Sequence, residues 1–201
     1  MKPRATELTT ELGPENREAT ARLLASEFKN DQGICALWGD KEQDVDEDEL
    51  KVWFDALLSL LDAPGSVVIA KTFDEVSGVI IRTIRAKPPS TQKYFSWLWK
   101  VLTKLGFGVV VATARHDRAR SSHIPRDASH LVEFVCVSPK RRGFGIAKVL
   151  LDEASGTETT PVIQWLETTK TKNVEIFERC GFSESSRYQD RGVLNICMTK
   201  S

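Results

Sequence analysis

The apolar positions of this 201-residue chain follow two periods, one typical of helices and one typical of strands. The helical period predicts an amphipathic helix from Pro14, where proline suits a first turn. It predicts another after the acidic run 44–49, where acids suit the helix dipole. The second helix has an apolar stripe made of Leu50, Trp53, Phe54, Leu57 and Leu61. Pro64-Gly65 ends it, and the run from Asn30 to Gly33 ends the first.

Seven short apolar runs predict strands. They lie at about 5–10, 66–71, 77–85, 131–137, 161–167, 182–189 and 193–199. Asp74-Glu75 separates the second run from the third, which predicts a hairpin. Two further helices are predicted at about 145–155 and 173–180.

The segment 87–128 stands between two predicted strands and has apolar residues at helical spacing, with a second helix expected over 109–118. We predict an α/β fold with a mixed, mostly antiparallel central sheet of about seven strands flanked by helices. The segment 87–128 is then a helical insertion before the central strand. Residues 1–201 are expected to form a single domain.

Composition narrows the classes of function. Basic and acidic residues number 28 each, so the formal net charge is zero, and an extended nucleic-acid surface is not expected. The four cysteines have no metal-ligand spacing, so no metal site is predicted. The chain has no apolar amino-terminal segment of the signal-peptide kind and no run of the ~20 apolar residues that a membrane span needs. We expect a cytoplasmic protein, monomer or homodimer, that binds neither nucleic acid nor membrane.

The most informative segment is VSPKRRGFGIAKVLL, from Val137 to Leu151. An apolar strand enters it, a basic turn with two glycines follows, and an amphipathic helix leaves it. A helix start carries unpaired N–H groups and a partial positive charge, which suit phosphate. Gly143 and Gly145 let the backbone approach a ligand closely. The spacing fits neither the nucleoside-triphosphate P-loop nor the dinucleotide fingerprint.

This turn resembles the pyrophosphate loop of the GCN5-related N-acetyltransferase superfamily, whose pattern is Arg/Gln-x-x-Gly-x-Gly/Ala. Arg142, Gly145 and Ala147 fill that pattern. The segment 165–182, WLETTKTKNVEIFERCGF, resembles the later strand, helix and Asn…Gly-Phe signature of the same superfamily. It is closest in pattern to puromycin N-acetyltransferase-like members. The resemblance is clear from about Leu131 onward and only architectural before that.

The resemblance implies acetyl-CoA (coenzyme A) as the cofactor, with its pyrophosphate held by main-chain N–H groups of the turn. The implied cofactor-binding residues are Cys136, Val137, Arg142, Gly143, Phe144, Gly145, Ile146, Ala147, Asn173 and Phe177. The backbone around Cys136 and Val137 would pair with the pantetheine arm, and Asn173 would contact that arm or cap a helix. Phe177 departs from the pattern, because many members have a tyrosine there that protonates the leaving thiolate.

Glu133 is the predicted catalytic residue. It interrupts the apolar run LVEFVCV, and a buried carboxylate is costly without a partner. A salt bridge to a nearby arginine, an outward-facing position on an edge strand or a catalytic role would explain it. Members of the superfamily often carry an acid four residues before the valine that stands at Val137 here. Its role would be that of a general base, since a primary amine with a pKa of about 10 must lose a proton before it attacks.

The resemblance therefore implies an N-acetyltransferase that moves an acetyl group by direct attack from the thioester to a primary amine. A small-molecule amine, such as a toxin or an antibiotic, is the expected acceptor. One alternative is acetylation of a protein lysine or amino terminus, and another is a catalytically silent coenzyme A-binding module, suggested by Phe177. A third is a peripheral membrane protein that uses the aromatic helix 94–105.

Overall fold

The structure is a computed structural model and describes residues 6–39, 43–61, 63–153 and 162–201. Its strands are β1 (Glu7–Thr9), β2 (Val67–Thr72), β3 (Glu75–Ile84), β4 (His130–Val137), β5 (Gln164–Thr168), β6 (Ser183–Asp190) and β7 (Val193–Lys200). They form one sheet in the order β1-β2-β3-β4-β5-β7-β6. Only the central pair β4–β5 is parallel, and the remaining neighbours are antiparallel.

Helices cover both faces of the sheet. They are α1 (Pro14–Phe28), α2 (Gln32–Leu37), α3 (Glu47–Leu60), α4 (Thr91–Leu105), α5 (Phe107–Ser121), α6 (Ile146–Glu153) and α7 (Thr171–Arg179). The first five pack on one face, which we call the amino-terminal layer. The last two pack on the other face, the carboxy-terminal layer. None of the helices in the described ranges combines the length and the hydrophobicity that a membrane crossing requires.

The core follows the two-residue period of the strands. In β2, Val67 and Ile69 lie in the amino-terminal core, whereas Val68 and Ala70 lie in the carboxy-terminal core. Successive side chains of a strand point to opposite faces, so a strand buried on both sides is apolar throughout. The predicted α/β fold is thereby confirmed, including the helices between β3 and β4.

One helix was not predicted. The sequence predicts only the end of the first helix between Asn30 and Gly33, whereas in the structure Asp31 is the N-cap of a further helix, α2. Its Oδ1 accepts hydrogen bonds from the backbone N–H groups of Gly33, at 3.0 Å, and Ile34, at 3.4 Å, as an N-cap aspartate does. Six residues are too few to show helical periodicity, so the cap was the only available indication.

Other element ends differ by one to three residues, as is usual for helix ends. The predicted helix 145–155 begins at Ile146 and is described to Glu153. Its predicted last residues, together with residue 5 of the first strand and residue 161 of the fifth, lie outside the described residues. All four cysteines, Cys35, Cys136, Cys180 and Cys197, are buried and free.

Candidate active site

The parallel strands β4 and β5 separate halfway along the sheet. They pair only over His130–Val132 and Gln164–Leu166. Beyond that point β4 stays paired with β3 as far as Val137, but within the described residues it has no ladder partner on its other edge. An extended ligand can pair with such an edge as an added strand would.

A β-bulge places Glu133 at the point of separation. Ile81 of β3 is opposite Phe134, and Arg82 is opposite Val132, so Glu133 has no residue opposite it. A bulge inserts one extra residue and redirects its side chain. The bulge thereby explains how a carboxylate interrupts a buried strand, because its side chain lies beside the gap and not in either core.

A cavity of about 480 Å³ occupies the gap. The residues 131–135 of β4 and 166–168 of β5 form its sides. Asn173 and Phe177 of α7 contribute from the carboxy-terminal layer, and α2, α3, α4 and α5 contribute from the amino-terminal layer. The cavity therefore reaches through the sheet and is accessible to groups from both layers.

The glycine turn follows the open edge of β4. Gly143 and Gly145 have φ angles of 83° and 79°, which L side chains rarely adopt. Apart from the adjacent residues, no heavy atom lies within 4 Å of the position that a Cβ would take at either glycine. The backbone of the turn is therefore open to a ligand, and α6 starts directly behind it at Ile146.

The neighbouring predicted residues hold the turn in place. The Arg142 guanidinium contacts the Glu27 carboxylate of α1, and its Nε donates a hydrogen bond to the Val137 carbonyl at 3.3 Å. Phe144 is exposed, Ala147 is half-buried, and Ile146 packs in the carboxy-terminal core. The arginine side chain thus contacts protein groups, and the main-chain N–H groups of the turn are open to a phosphate.

The remaining predicted cofactor residues lie on both sides of the open edge. The Cys136 side chain belongs to the amino-terminal core, where burial raises the pKa of its thiol, and Val137 packs against the carboxy-terminal core. Asn173 is the third residue of α7 and not its N-cap, and its Nδ2 donates to Thr168 Oγ1 at 3.3 Å. Phe177 is buried, yet it lines the cavity together with Asn173.

Glu133 belongs to a cluster of charged groups in the cavity. Its Oε2 lies 2.8 Å from Arg120 Nη2, and both side chains are almost fully buried. Arg120 lies on α5 and also approaches Asp117 and Glu167, each at 3.5 Å. Glu133 therefore has the arginine partner that its burial requires.

His116, also on α5, joins the cluster to the β6–β7 hairpin. Its Nε2 is 2.9 Å from Glu167 Oε1, and its Nδ1 is 3.0 Å from Asp190 Oδ2. Both ring nitrogens can donate only in the imidazolium form. Burial alone would lower the pKa of this histidine, but the hydrogen bond and charge of Glu167, together with Asp190, raise it above its ordinary value. The two carboxylates thus favour the imidazolium form of His116.

The pKa values of the neighbouring groups show the same balance of burial and charge. Partial burial raises the pKa of the Asp117 carboxyl, and the negative charges of Glu133 and Glu167 raise it further. The positive charge of Arg120 lowers this pKa but does not cancel the increase. Burial would also raise the pKa of Glu167, but His116 and Arg120 lower it overall. The Tyr188 hydroxyl donates a hydrogen bond to the Glu167 carboxylate. Burial of the tyrosine and the charge of that carboxylate raise the pKa of Tyr188.

The cluster has an excess of negative charge. Its carboxylates are Asp117, Glu133, Glu167 and Asp190, and its cations are His116 and Arg120. With all six groups ionised, four negative charges face two positive ones. Such a site attracts a cationic ligand.

We expect the stability of the protein to fall when the pH rises through the pKa of His116. A histidine whose folded pKa is raised contributes stability below its unfolded pKa of about 6.5 and loses that contribution as the folded pKa is passed. The free energy of unfolding, measured in urea between pH 6 and 9, should decline over this range. His116→Gln should flatten the decline, whereas His123→Gln should preserve it, because His123 contacts Ser186 and Tyr188 and neither carboxylate. An unchanged profile in the His116 variant would contradict the cationic state.

The sequence prediction named Glu133 as a candidate, but it named none of the residues that the structure joins to it in this cluster: His116, Asp117, Arg120, Glu167 and Asp190. A weaker local indication existed for Glu167, which directly follows the largely apolar run VIQWL. His116 and Arg120 are four residues apart and so share one helix face. Which surface that face would contact could not be inferred from spacing.

Comparisons with known proteins give the fold. No family model matches the sequence, and no curated protein shows significant sequence similarity to it. Solved structures match along nearly the whole chain. An N-acetyltransferase from Staphylococcus aureus Mu50 shares 13% identity, with 96% of this chain and 99% of that chain covered and a TM-score of 0.67. A structure described as histone acetyltransferase HPA2 and related acetyltransferase, from Corynebacterium glutamicum, shares 16% sequence identity. The match covers 98% of this chain and 96% of that chain, with a TM-score of 0.69.

A third similar structure is arylalkylamine N-acetyltransferase 2 from Aedes aegypti, at 13% identity, with 98% of this chain and 99% of that chain covered and a TM-score of 0.59. At these identities the likeness establishes the fold and not the substrate. The chain therefore has the fold of acetyltransferases, as the sequence resemblance implied.

Proposed function

We propose that this protein is an acetyl-CoA-dependent N-acetyltransferase that acetylates the primary amine of a small molecule. One observation carries the proposal: the open edge of β4 runs from a cavity with excess negative charge, at Glu133, to an open glycine turn at a helix start, after Val137. The two ends suit the two substrates, a cationic amine and a pyrophosphate. The puromycin N-acetyltransferase-like pattern in 165–182 supports a small-molecule acceptor.

Coenzyme A fits these residues. The proposed phosphate ligands are main-chain N–H groups between Arg142 and Ala147, since both glycines leave open space there. Beside Cys136 and Val137 the edge of β4 has no neighbouring strand within the described residues, so it is open to an amide-containing chain. Asn173 and Phe177 face the same cavity from α7.

The proposed reaction is direct transfer without a covalent enzyme intermediate. Acetyl-CoA supplies the acetyl group as a thioester. The ammonium nitrogen of the acceptor gives up one proton to a carboxylate and attacks the acetyl carbon, so that a C–N bond forms while the C–S bond breaks. The second proton that the nitrogen loses goes to the departing thiolate, directly or through water, and coenzyme A leaves as the free thiol. A backbone N–H of the open edge of β4 would stabilise the charge that develops on the carbonyl oxygen.

Glu133 is the proposed proton acceptor, directly or through water. Glu133→Gln should lower kcat by about 100-fold or more, since general bases typically contribute that much. The loss should be largest at low pH, where almost every acceptor molecule is protonated. The pH profile of kcat, measured with saturating amine, tests this.

Glutamine keeps an oxygen that can accept the hydrogen bond from Arg120, so the fold and the affinity for acetyl-CoA should both be retained. Thermal unfolding and calorimetric titration of the same variant provide those controls. A turnover rate equal to that of the wild type at every pH would exclude Glu133 as the base.

The function itself is tested in two steps. Acetyl-CoA should raise the unfolding temperature, because a ligand that binds only the folded state stabilises it. A library of amines should then release free thiol in an acetyl-CoA-dependent manner. If acetyl-CoA neither binds nor turns over, the proposal fails.

The leading alternative is a coenzyme A-binding module without activity. Phe177 cannot protonate a leaving thiolate, and Glu133 is bound by Arg120, so both observations favour it. This alternative predicts tight binding of coenzyme A without turnover of any amine, whereas the acetyltransferase proposal predicts turnover. A free thiol has a pKa of about 8.5, so a thiolate can leave without an acid to protonate it, and Phe177 does not rule out activity.

Acetylation of a protein amine stays open as a second alternative. Cytoplasmic location and a monomeric or homodimeric state stay predictions.

A further inference from the structure

Part of the cavity lining is apolar. Six residues from α2, α3 and α4 form this apolar wall: Ile34, Leu37, Trp53, Leu57, Tyr94 and Trp97. Tyr94 is half-exposed and packs on Trp97, with ring centroids 5.6 Å apart. A site of this composition binds a ligand with an apolar body.

Most of the charged groups that line the cavity lie where α5 meets β4 and β5. Asp31 is a further lining carboxylate, which accepts hydrogen bonds from Gly33 and Thr169 and pairs with Lys170. It is therefore saturated by protein groups. The cavity is thus lined both by an apolar wall and by an acidic cluster.

Asp117 differs from the other carboxylates of the cluster. Glu133, Glu167 and Asp190 each accept a contact of 2.8–3.0 Å from Arg120 or His116. The contact of Asp117 with Arg120 is longer, at 3.5 Å, and its side chain is 54% exposed. Its oxygens thus have room for a ligand cation, and the excess negative charge of the cluster favours one.

We propose that the acceptor is a hydrophobic monoamine, with its ammonium group bound at Asp117 and its apolar body against the wall formed by Tyr94 and Trp97. This inference rests on the proposed function. A second cationic group on the body, as in a diamine or a polyamine, would lose its hydration against that wall without gaining a partner. The same reasoning disfavours a lysine side chain in a polar peptide, whose flanking groups are polar.

A series of straight-chain amines tests this preference. Each buried methylene should raise kcat/KM about fourfold, so hexylamine, with three more methylenes, should exceed propylamine by roughly 60-fold. Hexane-1,6-diamine has the same chain with a second charge, and its kcat/KM should be at least ~10-fold below that of hexylamine. A peptide with one lysine completes the panel as the polar acceptor.

Two variants locate the effect, each with a control. Tyr94→Ala should flatten the dependence on chain length, whereas Phe95→Ala should not, because Phe95 is exposed on the same helix and does not line the cavity. Asp117→Asn should raise KM about 10-fold for every monoamine and leave the affinity for acetyl-CoA unchanged. Asp127→Asn, an exposed position outside the cavity, is its control.

The outcomes separate this inference from the proposed function. Acetyl-CoA-dependent turnover with no gain along the series, or equal turnover of the diamine, overturns the hydrophobic-monoamine assignment and leaves the acetyltransferase proposal standing. A preference for the lysine peptide does the same. Absence of turnover with every amine overturns both.

Discussion

Gly145→Asp is expected to abolish the binding of acetyl-CoA, with an affinity at least ~100-fold lower than that of the wild type. Gly145 has a φ of 79° and open space where a Cβ would stand, so the substitution forces a strained backbone. It also places a carboxylate where the pyrophosphate is proposed to bind, and like charges at a shared site repel. Calorimetric titration with acetyl-CoA measures the loss.

Two controls distinguish the causes. Gly145→Ala introduces the same backbone strain without the charge, so it should weaken binding less. Gly13→Asp introduces the same residue at the exposed N-cap of α1, where φ is −58°, and aspartate is favoured at such a position. It should leave binding intact and the fold at least as stable. Unchanged affinity in Gly145→Asp would mean that the cofactor binds elsewhere.

The sequence predicted those parts of the site that depend on local structure. The strand before the turn is apolar, and the turn contains glycine where φ is positive, so both follow from neighbouring residues. Glu133 was recognisable because a charge within an apolar strand requires an explanation.

The remaining parts depend on long-range packing. The bulge at Glu133 is a mismatch of register between β3 and β4, which neither strand encodes alone. His116 and Arg120 have partners 51 and 13 residues away, and only the docking of α5 on β4 and β5 brings them together. The sequence predicted a second helix over 109–118, but it did not indicate the surface against which that helix would pack.

The β6–β7 hairpin fixes that docking. Arg191, at its turn, donates to the Ala36 carbonyl of α2 at 3.0 Å and also contacts the Ala112 carbonyl of α5. The preceding residue, Asp190, binds His116. A single turn therefore connects two helices of the cavity wall to the edge of the sheet, so the segment predicted as an insertion supplies part of the site.

Arg120→Met is expected to lower the free energy of unfolding by about 3–5 kcal/mol, because removing one partner leaves buried charges uncompensated. Arg120 is only 13% exposed, and it faces Glu133 and Glu167, which are 12% and 15% exposed. The charges of Glu133, Glu167 and Asp117 raise the pKa of the guanidinium despite the opposing effect of burial. Urea unfolding at pH 7 measures the change.

Arg118→Met is the matched control, since Arg118 is exposed on the same helix, and surface substitutions usually change stability by less than ~0.5 kcal/mol. The loss in Arg120→Met should also become smaller at low pH, where protonation of the carboxylates removes the charges left without a partner. A loss that is independent of pH would instead indicate missing side-chain packing. Only the pH-dependent loss supports the idea that Arg120 holds the acidic cluster together, and with it the placement of Glu133 beside the gap between β4 and β5.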